Sequence, residues 1–191
     1  MYIESMLIST DYITLYTANK QAQQILTILK KYCPKNYTIL DANAGMGGNS
    51  VYFCKYFNFV YTVDISQDTI TYLEHNLREF NNYSIIIENC LDVLKIVRYD
   101  IIFFDPPWGG SSYKYKKNVN LFINSVNINS IIQQLFFYKN VKIVCLKAPK
   151  NFNLINLSFW VIDIYNIYKS DNKTILFKFI IYHKDSNKLM N

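Results

Sequence analysis

The sequence predicts an α/β fold in which a mostly parallel sheet, covered by helices on both faces, ends in an antiparallel hairpin. Short apolar runs rich in Ile, Val, Phe and Tyr alternate with segments of helical periodicity along the 191 residues, which is typical of parallel sheets. Near the carboxyl end, the apolar runs 159–168 and 173–182 flank the turn 170–172, which indicates antiparallel pairing. All five glycines lie in two short segments, each directly after an apolar run. These segments are expected where the backbone turns sharply or approaches a ligand.

The predicted elements follow one another without an internal repeat or linker. An arm, 1–18, leads into a helix that begins with Thr17 as N-cap and ends before Pro34. The remaining helices are predicted at 49–57, 66–80 with Ser66 as N-cap, and 126–138. With the hairpin strands the sheet has seven strands, of which the first five are predicted at 37–42, 59–65, 84–88, 99–104 and 141–147. Residues 19–191 are expected to form a single domain.

Composition limits the class of protein. With 51% hydrophobic and 18% charged residues, the chain is globular and long enough for a sizeable core. No apolar run approaches the roughly 20 residues that cross a bilayer, and the first residues do not resemble a signal peptide. An intracellular protein, nuclear or cytoplasmic and not secreted, is therefore expected. The four cysteines are widely spaced and only two histidines are present, so buried thiols are expected rather than disulfides or a metal site.

The charge balance favours a polyanionic partner. The formal net charge is +6 and the isoelectric point is near 9.0. An excess of this size is also compatible with ordinary solubility, so it does not decide the function by itself.

Two loops carry the candidate site. The first, Asp41-Ala-Asn-Ala-Gly-Met-Gly-Gly-Asn49, follows a predicted strand. The second begins in the run Ile101-Ile-Phe-Phe-Asp-Pro-Pro-Trp-Gly-Gly110, where a buried strand leads into a stiff loop. Four acids, at the carboxyl ends of four predicted strands, fall where ligands bind in such sheets. These acids are Asp41, Asp64, Asp92 and Asp105.

The first loop predicts a nucleotide with few phosphates. Its glycines read G-x-G-G rather than G-x-G-x-x-G, and no Walker lysine follows. Asp64, nineteen positions after Gly45, is placed to accept both ribose hydroxyls. Asp92 is placed to meet an adenine amino group, and Asp41 to face a sulfonium or amino acid moiety. For Asp64 and Asp92 the alternative is a helix cap or solvated turn. Together the acids favour an adenosyl ligand.

The two loops in combination resemble one family. Leu40-Asp-Ala-Asn-Ala-Gly-Met-Gly-Gly-Asn-Ser50 and Asp105-Pro-Pro-Trp-Gly-Gly110 are similar to trimethylguanosine synthases. These are class I S-adenosylmethionine-dependent methyltransferases that hypermethylate RNA caps. The resemblance covers about residues 12 to 155 and includes Thr17-x-x-Lys20 and Tyr113. It implies a Rossmann-like catalytic domain, S-adenosylmethionine as methyl donor without a metal, and 7-methylguanosine-capped RNA or a cap dinucleotide as partner.

The sequence also departs from the family pattern. Asn43 and Ala44 stand where an aromatic residue and a cysteine are expected, and Ser111 stands where a proline is expected. Animal members have a long N-terminal extension that this sequence does not show, so their targeting and partner binding are not expected to carry over.

Residue roles combine the chemistry with the resemblance. Asp105 and the Pro106 carbonyl can accept hydrogen bonds from an exocyclic amine, and Trp108 can stack on a cationic purine. These three are the predicted catalytic residues. The resemblance implies that Trp108, Tyr113 and Lys150 bind substrate. The predicted donor-binding residues are Thr17, Asp41, Asn43, Gly45, Gly47, Asn49, Asp64, Asp92 and Asp105.

Other aromatic and basic residues are less specific. Lys147 and Lys150 flank Pro149 at the same predicted sheet edge. The lysines at 114, 116 and 117 can either contact the cap phosphates or form a solvated run. Trp160, inside an apolar run, is predicted to pack in the core.

Three functions remain open from the sequence. The first is a cap guanosine 2-amino methyltransferase, which forms di- or trimethylguanosine. The second is an adenine 6-amino or rRNA guanine 2-amino methyltransferase, which acts on an internal base. The third is a non-catalytic module that binds a cap or an adenosyl group. A monomer without a membrane partner is expected.

Overall fold

The computed structural model describes residues 6–10, 17–138, 140–157, 159–169, 171 and 173–184. The chain divides into two compact units, residues 1–99 and 100–191. The predicted single domain 19–191 stays a prediction. No helix of the described part is long and apolar enough to cross a membrane. The described helices are α1 Asn19–Leu29, α2 Ser50–Cys54, α3 Ile70–Leu77, α4 Cys90–Ile96 and α5 Ile128–Leu135.

Seven strands form a mostly parallel sheet, which confirms the predicted fold class. The first unit contributes three parallel strands in the order β3 Tyr83–Ile87, β2 Phe59–Asp64 and β1 Thr38–Asp41. The second contributes four strands in the order β4 Ile101–Phe104, β7 Ile143–Ala148, β9 Ile175–His183 and β8 Val161–Tyr168. Of these, β4 and β7 are parallel, and β8 and β9 form the predicted antiparallel hairpin. A separate two-stranded ribbon pairs β5 Phe122–Ile123 with β6 Val126–Asn127.

In the first unit, the predicted strands are confirmed but two helix starts differ. Ala18, not Thr17, is the N-cap of α1, so the predicted Thr17 cap is wrong. The Thr17 hydroxyl instead accepts a hydrogen bond from Asn49 Nδ2 at 3.2 Å. The helix predicted at 66–80 begins with a 3-10 turn, Gln67–Thr69, and Ser66 makes no side-chain capping bond there. Much of the predicted N-terminal arm falls on residues 1–5 and 11–16, outside the described residues.

In the second unit, the ribbon of β5 and β6 and the 3-10 turn Ser111–Tyr115 were not predicted. Val126 and Asn127 pair with β5, so the helix predicted from 126 begins at Ile128. The Asn127 side chain caps it by accepting a hydrogen bond from Asn129 N. Trp160 is buried, and its Nε1 donates to Ile132 O at 3.0 Å, which confirms its predicted place in the core.

The cysteines are buried free thiols, as predicted. They are Cys33, Cys54, Cys90 and Cys145. Burial, and secondly the Asp41 carboxylate, raise the pKa of Cys54 to about 12. The same two kinds of cause, burial first and then Asp64, raise the pKa of Cys90 to about 12. These thiols are therefore protonated at neutral pH.

Asn76 on α3 fastens two chain segments to the first unit. Its Oδ1 accepts a hydrogen bond from Leu7 N at 2.8 Å, and its Nδ2 donates to Leu7 O at 3.0 Å. Nδ2 also donates to Met46 O, in the glycine loop, at 2.8 Å. All three bonds involve backbone groups that the alanine variant would leave without this partner.

We expect Asn76→Ala to lower the free energy of unfolding by about 1 to 3 kcal/mol, because buried polar groups lose their partner. Urea unfolding followed by circular dichroism measures the change. Asn166→Ala, at an exposed position of β8, is the matched control and should change stability by no more than about 0.5 kcal/mol. Equal effects of the two substitutions would contradict the assignment.

Candidate functional site

The glycine loop between β1 and α2 is held to β2 by a carboxylate. Asp64 Oδ2 accepts a hydrogen bond from Gly45 N at 2.8 Å, and Oδ1 accepts from Ser66 N at 2.9 Å. Gly45 and Gly47 have φ angles of +52° and +84°, which residues other than glycine rarely adopt. A Cβ on Gly47 would lie 3.2 Å from Leu73 Cδ2. Asp64 is thus bonded to the loop, and each of its oxygens retains a second lone pair for a ligand. Its predicted contact with the ribose hydroxyls stays a prediction.

Asp41 lies at the base of the same loop. It is fully buried, and its Oδ2 accepts a hydrogen bond from Ser50 Oγ at 2.6 Å. This bond joins the end of β1 to the first turn of α2. The Asp41 carboxylate is therefore withdrawn from solvent.

Two asparagine oxygens in this loop are buried acceptors. Among the described residues, none donates a hydrogen bond to Asn43 Oδ1 or to Asn49 Oδ1. Asn49 is itself buried, and its amide nitrogen is oriented by the Thr17 hydroxyl. Buried acceptors without donors fit a ligand that brings ammonium or hydroxyl hydrogens, and they disfavour a phosphate.

Asp92 has the geometry of a residue at a helix start. It lies in the first turn of α4, and its side chain is 59% exposed. Lys95 Nζ pairs with its Oδ1 at 3.0 Å, and Asn89 Nδ2 donates to its Oδ2 at 3.2 Å. These contacts agree with the helix-start alternative, while its predicted contact with adenine stays a prediction.

In the second unit, Asp105 forms a buried ion pair. Lys147 Nζ lies 2.6 Å from Asp105 Oδ2, and the two side chains are only 9% and 13% exposed. Asp105 follows β4 and Lys147 lies in β7, and the register pairs Phe104 with Leu146 just before them. This role of Lys147 was missed, although a lysine within the apolar run Val144-Cys-Leu-Lys-Ala148 was a usable signal.

Trp108 is half-buried beside this pair. The Tyr113 ring meets the indole edge-on with centroids 5.2 Å apart, and Phe177 packs at 6.4 Å. Lys147 Nζ lies 5.7 Å from the indole centroid and 5.1 Å from that of Phe177. The indole Nε1 is buried, and no described residue accepts its hydrogen. The ring is thus held from several sides, while its polar edge lacks a protein partner.

The loops that carry Tyr113 and Lys150 are joined by Asn151. Its Nδ2 donates to Tyr113 O at 2.8 Å and to Lys116 O at 2.7 Å. Tyr113 belongs to the unpredicted 3-10 turn Ser111–Tyr115, and Lys150 is exposed just after β7. Burial raises the pKa of Tyr113, so its hydroxyl remains a hydrogen-bond donor at neutral pH. The second unit therefore brings Trp108 and Tyr113 together, and Lys150 adjoins Asn151 in sequence. Asn151 is a positioning residue that the sequence analysis missed.

We expect Lys147→Met to lower the free energy of unfolding at neutral pH by about 3 to 5 kcal/mol, because the Asp105 carboxylate is then buried without its cation. In that variant the pKa of Asp105 is raised above its unfolded value by burial. Acid therefore favours the folded variant, and the deficit relative to wild type shrinks as pH falls toward 5 and grows as pH rises. Urea unfolding between pH 5 and 8 measures this trend.

The double variant Asp105→Asn/Lys147→Met provides the control, since it removes both charges. It should be more stable than Lys147→Met at pH 8 and should lack that variant's pH trend. A deficit that does not depend on pH would mean that Lys147 stabilises the fold by packing alone.

The chain is similar in sequence to known RNA methyltransferases. The sequence model of the family described as RNA cap guanine-N2 methyltransferase matches residues 36–186. Ribosomal RNA small subunit methyltransferase D of Buchnera aphidicola is 34% identical over 146 residues, which cover 72% of this chain and 73% of that protein. Trimethylguanosine synthase of Saccharomyces cerevisiae is 26% identical over 154 residues, covering 74% of this chain but only 48% of the yeast protein.

A solved structure shows the same fold. A protein from Streptococcus mutans, solved in complex with SAH, aligns with a TM-score of 0.55 at 13% identity. The alignment covers 84% of this chain and 96% of that one.

Proposed function

Because the chain belongs to the RNA cap guanine-N2 methyltransferase family, we propose that it methylates the exocyclic 2-amino group of a 7-methylguanosine RNA cap. The product is di- or trimethylguanosine, and the methyl donor is S-adenosylmethionine. The observation that carries this proposal is the Asp-Pro-Pro-Trp loop, in which Lys147 holds the Asp105 carboxylate beside a half-buried indole.

The glycine loop fits the donor. S-adenosylmethionine supplies, when bound, a methyl group on a positively charged sulfur together with ammonium and ribose hydroxyl hydrogens. Asn43 Oδ1 and Asn49 Oδ1 are buried acceptors that can receive such hydrogens. The Asp64 carboxylate has remaining lone pairs for the ribose hydroxyls, and Asp41 adds a buried negative charge that favours a cation. Every one of these groups is a hydrogen-bond acceptor, which suits a methyl donor with two cationic centres.

The Asp105 loop fits the acceptor amine. An exocyclic amine is a weak nucleophile because its lone pair is delocalised into the purine ring. Asp105 and the Pro106 carbonyl can accept its two hydrogens, which orients the nitrogen and raises its electron density. The ammonium of Lys147 favours the ionised form of Asp105, so the carboxylate is also able to take the proton that nitrogen loses on methylation.

Trp108 can select a cationic base. A 7-methylated guanine carries a positive charge, and stacking on an indole adds about 0.5 to 2 kcal/mol of cation–π energy. Lys147 already lies near this ring, but Asp105 offsets its charge at 2.6 Å. A cationic base therefore does not meet an uncompensated cation. The Tyr113 hydroxyl and the exposed Lys150 can contact the cap phosphates.

A second candidate is methylation of a base within ribosomal RNA. The 34% identity to ribosomal RNA small subunit methyltransferase D favours it. In that case the base is uncharged, so the cation–π term is lost and free 7-methyl-GDP should not be a preferred acceptor.

We expect transfer from labelled S-adenosylmethionine to 7-methyl-GDP with a kcat/KM about tenfold higher than to GDP, since about 1.4 kcal/mol of stacking energy corresponds to that factor. Trp108→Ala should abolish transfer and leave SAH affinity unchanged. Tyr115→Ala, which removes a 91% exposed aromatic ring nearby in sequence, is the matched control and should keep activity. Equal transfer to GDP and 7-methyl-GDP would refute selection by charge, and transfer only to ribosomal RNA would support the second candidate.

We expect Asn43→Ala to weaken SAH binding roughly 5- to 30-fold, because a hydrogen-bond acceptor for the donor is lost. The variant without ligand should be at least as stable as wild type, since it removes a buried acceptor that has no donor among the described residues. Calorimetric titration and urea unfolding measure the two effects. Asn58→Ala, at an exposed site, should change neither, and a loss of stability without loss of SAH affinity would assign Asn43 a purely structural role.

A further inference from the structure

Positive charge is concentrated in one part of the first unit. Residues 12–63 contain five lysines and one acid, Asp41, whereas the rest of the chain has 15 basic and 13 acidic residues. Asp41 is fully buried and bonded to Ser50, so it does not reach the surface. This segment therefore accounts for +4 of the net charge of +6.

Three of these lysines lie against tyrosine rings at the ends of α1 and α2. Lys30 Nζ and Lys35 Nζ lie 5.0 and 5.9 Å from the ring centroid of Tyr56, and Lys55 Nζ lies 5.0 Å from that of Tyr52. All three lysines are exposed. We refer to these five residues as the lysine–tyrosine face.

The face is anchored to the core of its unit. The Tyr56 hydroxyl donates to Cys33 O at 2.8 Å, and its ring meets the buried Phe57 edge-on at 5.0 Å. Cation–π contacts, worth about 0.5 to 1 kcal/mol each, keep the ammonium groups close to the tyrosine rings. The lysines thus lose less side-chain freedom on binding an anion than lysines on an unstructured surface do.

The chemistry of this face fits a nucleic acid strand rather than a protein or a bilayer. Within the described residues 17–64, no large apolar side chain is exposed. The centres of protein interfaces are depleted of lysine, and amphipathic membrane-bound surfaces bury large apolar side chains. Ammonium groups interleaved with aromatic rings are instead the usual means of binding phosphates and stacking bases without reading sequence.

We infer that the lysine–tyrosine face binds the RNA chain that carries the cap, through its phosphates and without sequence preference. The inference rests on the proposed function and deepens it, because it makes capped RNA, rather than free cap nucleotide, the preferred substrate. Lys30, Lys35 and Lys55 contact phosphates, and the rings of Tyr52 and Tyr56 hold these ammonium groups in place.

The test uses the triple variant Lys30→Gln/Lys35→Gln/Lys55→Gln with two acceptors, 7-methyl-GDP and a short unstructured capped oligoribonucleotide. We expect KM for the oligoribonucleotide to rise roughly tenfold or more at low salt. The slope of log KM against log salt concentration should fall by about 2, since each contact with single-stranded RNA contributes about 0.7. Both kcat and KM for 7-methyl-GDP should stay unchanged, which also shows that the variant is folded.

A control of equal charge change is Arg98→Gln/Lys169→Gln/Lys173→Gln, at three exposed positions elsewhere. It should leave KM for the oligoribonucleotide and its salt slope close to wild type. The same effect in both triple variants, or no effect in the first, would overturn the inference.

Failure of the proposed function is distinguishable from failure of this inference. If 7-methyl-GDP accepts no methyl group even with wild type, binding of the same oligoribonucleotide, measured by fluorescence anisotropy, still tests the face. Weaker binding with a reduced salt slope in the first triple variant alone supports it. If the first triple variant lost binding to vesicles containing phosphatidylserine but bound RNA like wild type, the face would be assigned to a membrane surface. That result would overturn the inference.

Discussion

The ion pair between Lys147 and Asp105 determines where the acceptor loop lies. β4 and β7 are parallel and in register up to Phe104 and Leu146. The residues that follow these two, Asp105 and Lys147, therefore lie opposite each other. Both charges are nearly buried, and only close pairing offsets the desolvation of each. The carboxylate therefore has a defined direction before substrate arrives, and the prolines that follow it stiffen the chain toward Trp108.

The glycine loop has buried acceptors that lack hydrogen-bond donors, whereas the loop that carries Trp108 has a buried donor that lacks an acceptor, among the described residues. In the first unit, the glycine loop buries the acceptor oxygens of Asn43 and Asn49, which no described residue satisfies. In the second unit, the indole of Trp108 buries a donor that no described residue accepts. Buried groups of this kind persist where a ligand or water completes them, since each costs about 1 to 3 kcal/mol otherwise. The deficits agree with a cationic donor on one loop and a base or phosphate oxygen on the other.

Local signals predicted the sheet, the hairpin and both loops, because apolar runs, glycines and prolines act over a few residues. Features that depend on partners distant in sequence were less accessible. Thr17 has the residue type of an N-cap, but its hydroxyl is used by Asn49, 32 positions away. The pairing of Asp105 with Lys147 required the strand register, and the clamp by Asn151 required two loops to meet. Asp92 was ambiguous from the outset because the same carboxylate suits a helix start and a ligand.

The buried thiols offer an internal probe of the glycine loop. Cys54 and Cys90 sense the charges of Asp41 and Asp64, the two acids that hold that loop, and with a pKa of about 12 they are almost wholly protonated. Only the thiolate reacts with alkylating reagents, so modification has to wait for the fold to open. The alkylation rate then reports local opening of this part of the chain. Slower labelling in the presence of a nucleoside would show that the nucleoside binds, without any added dye.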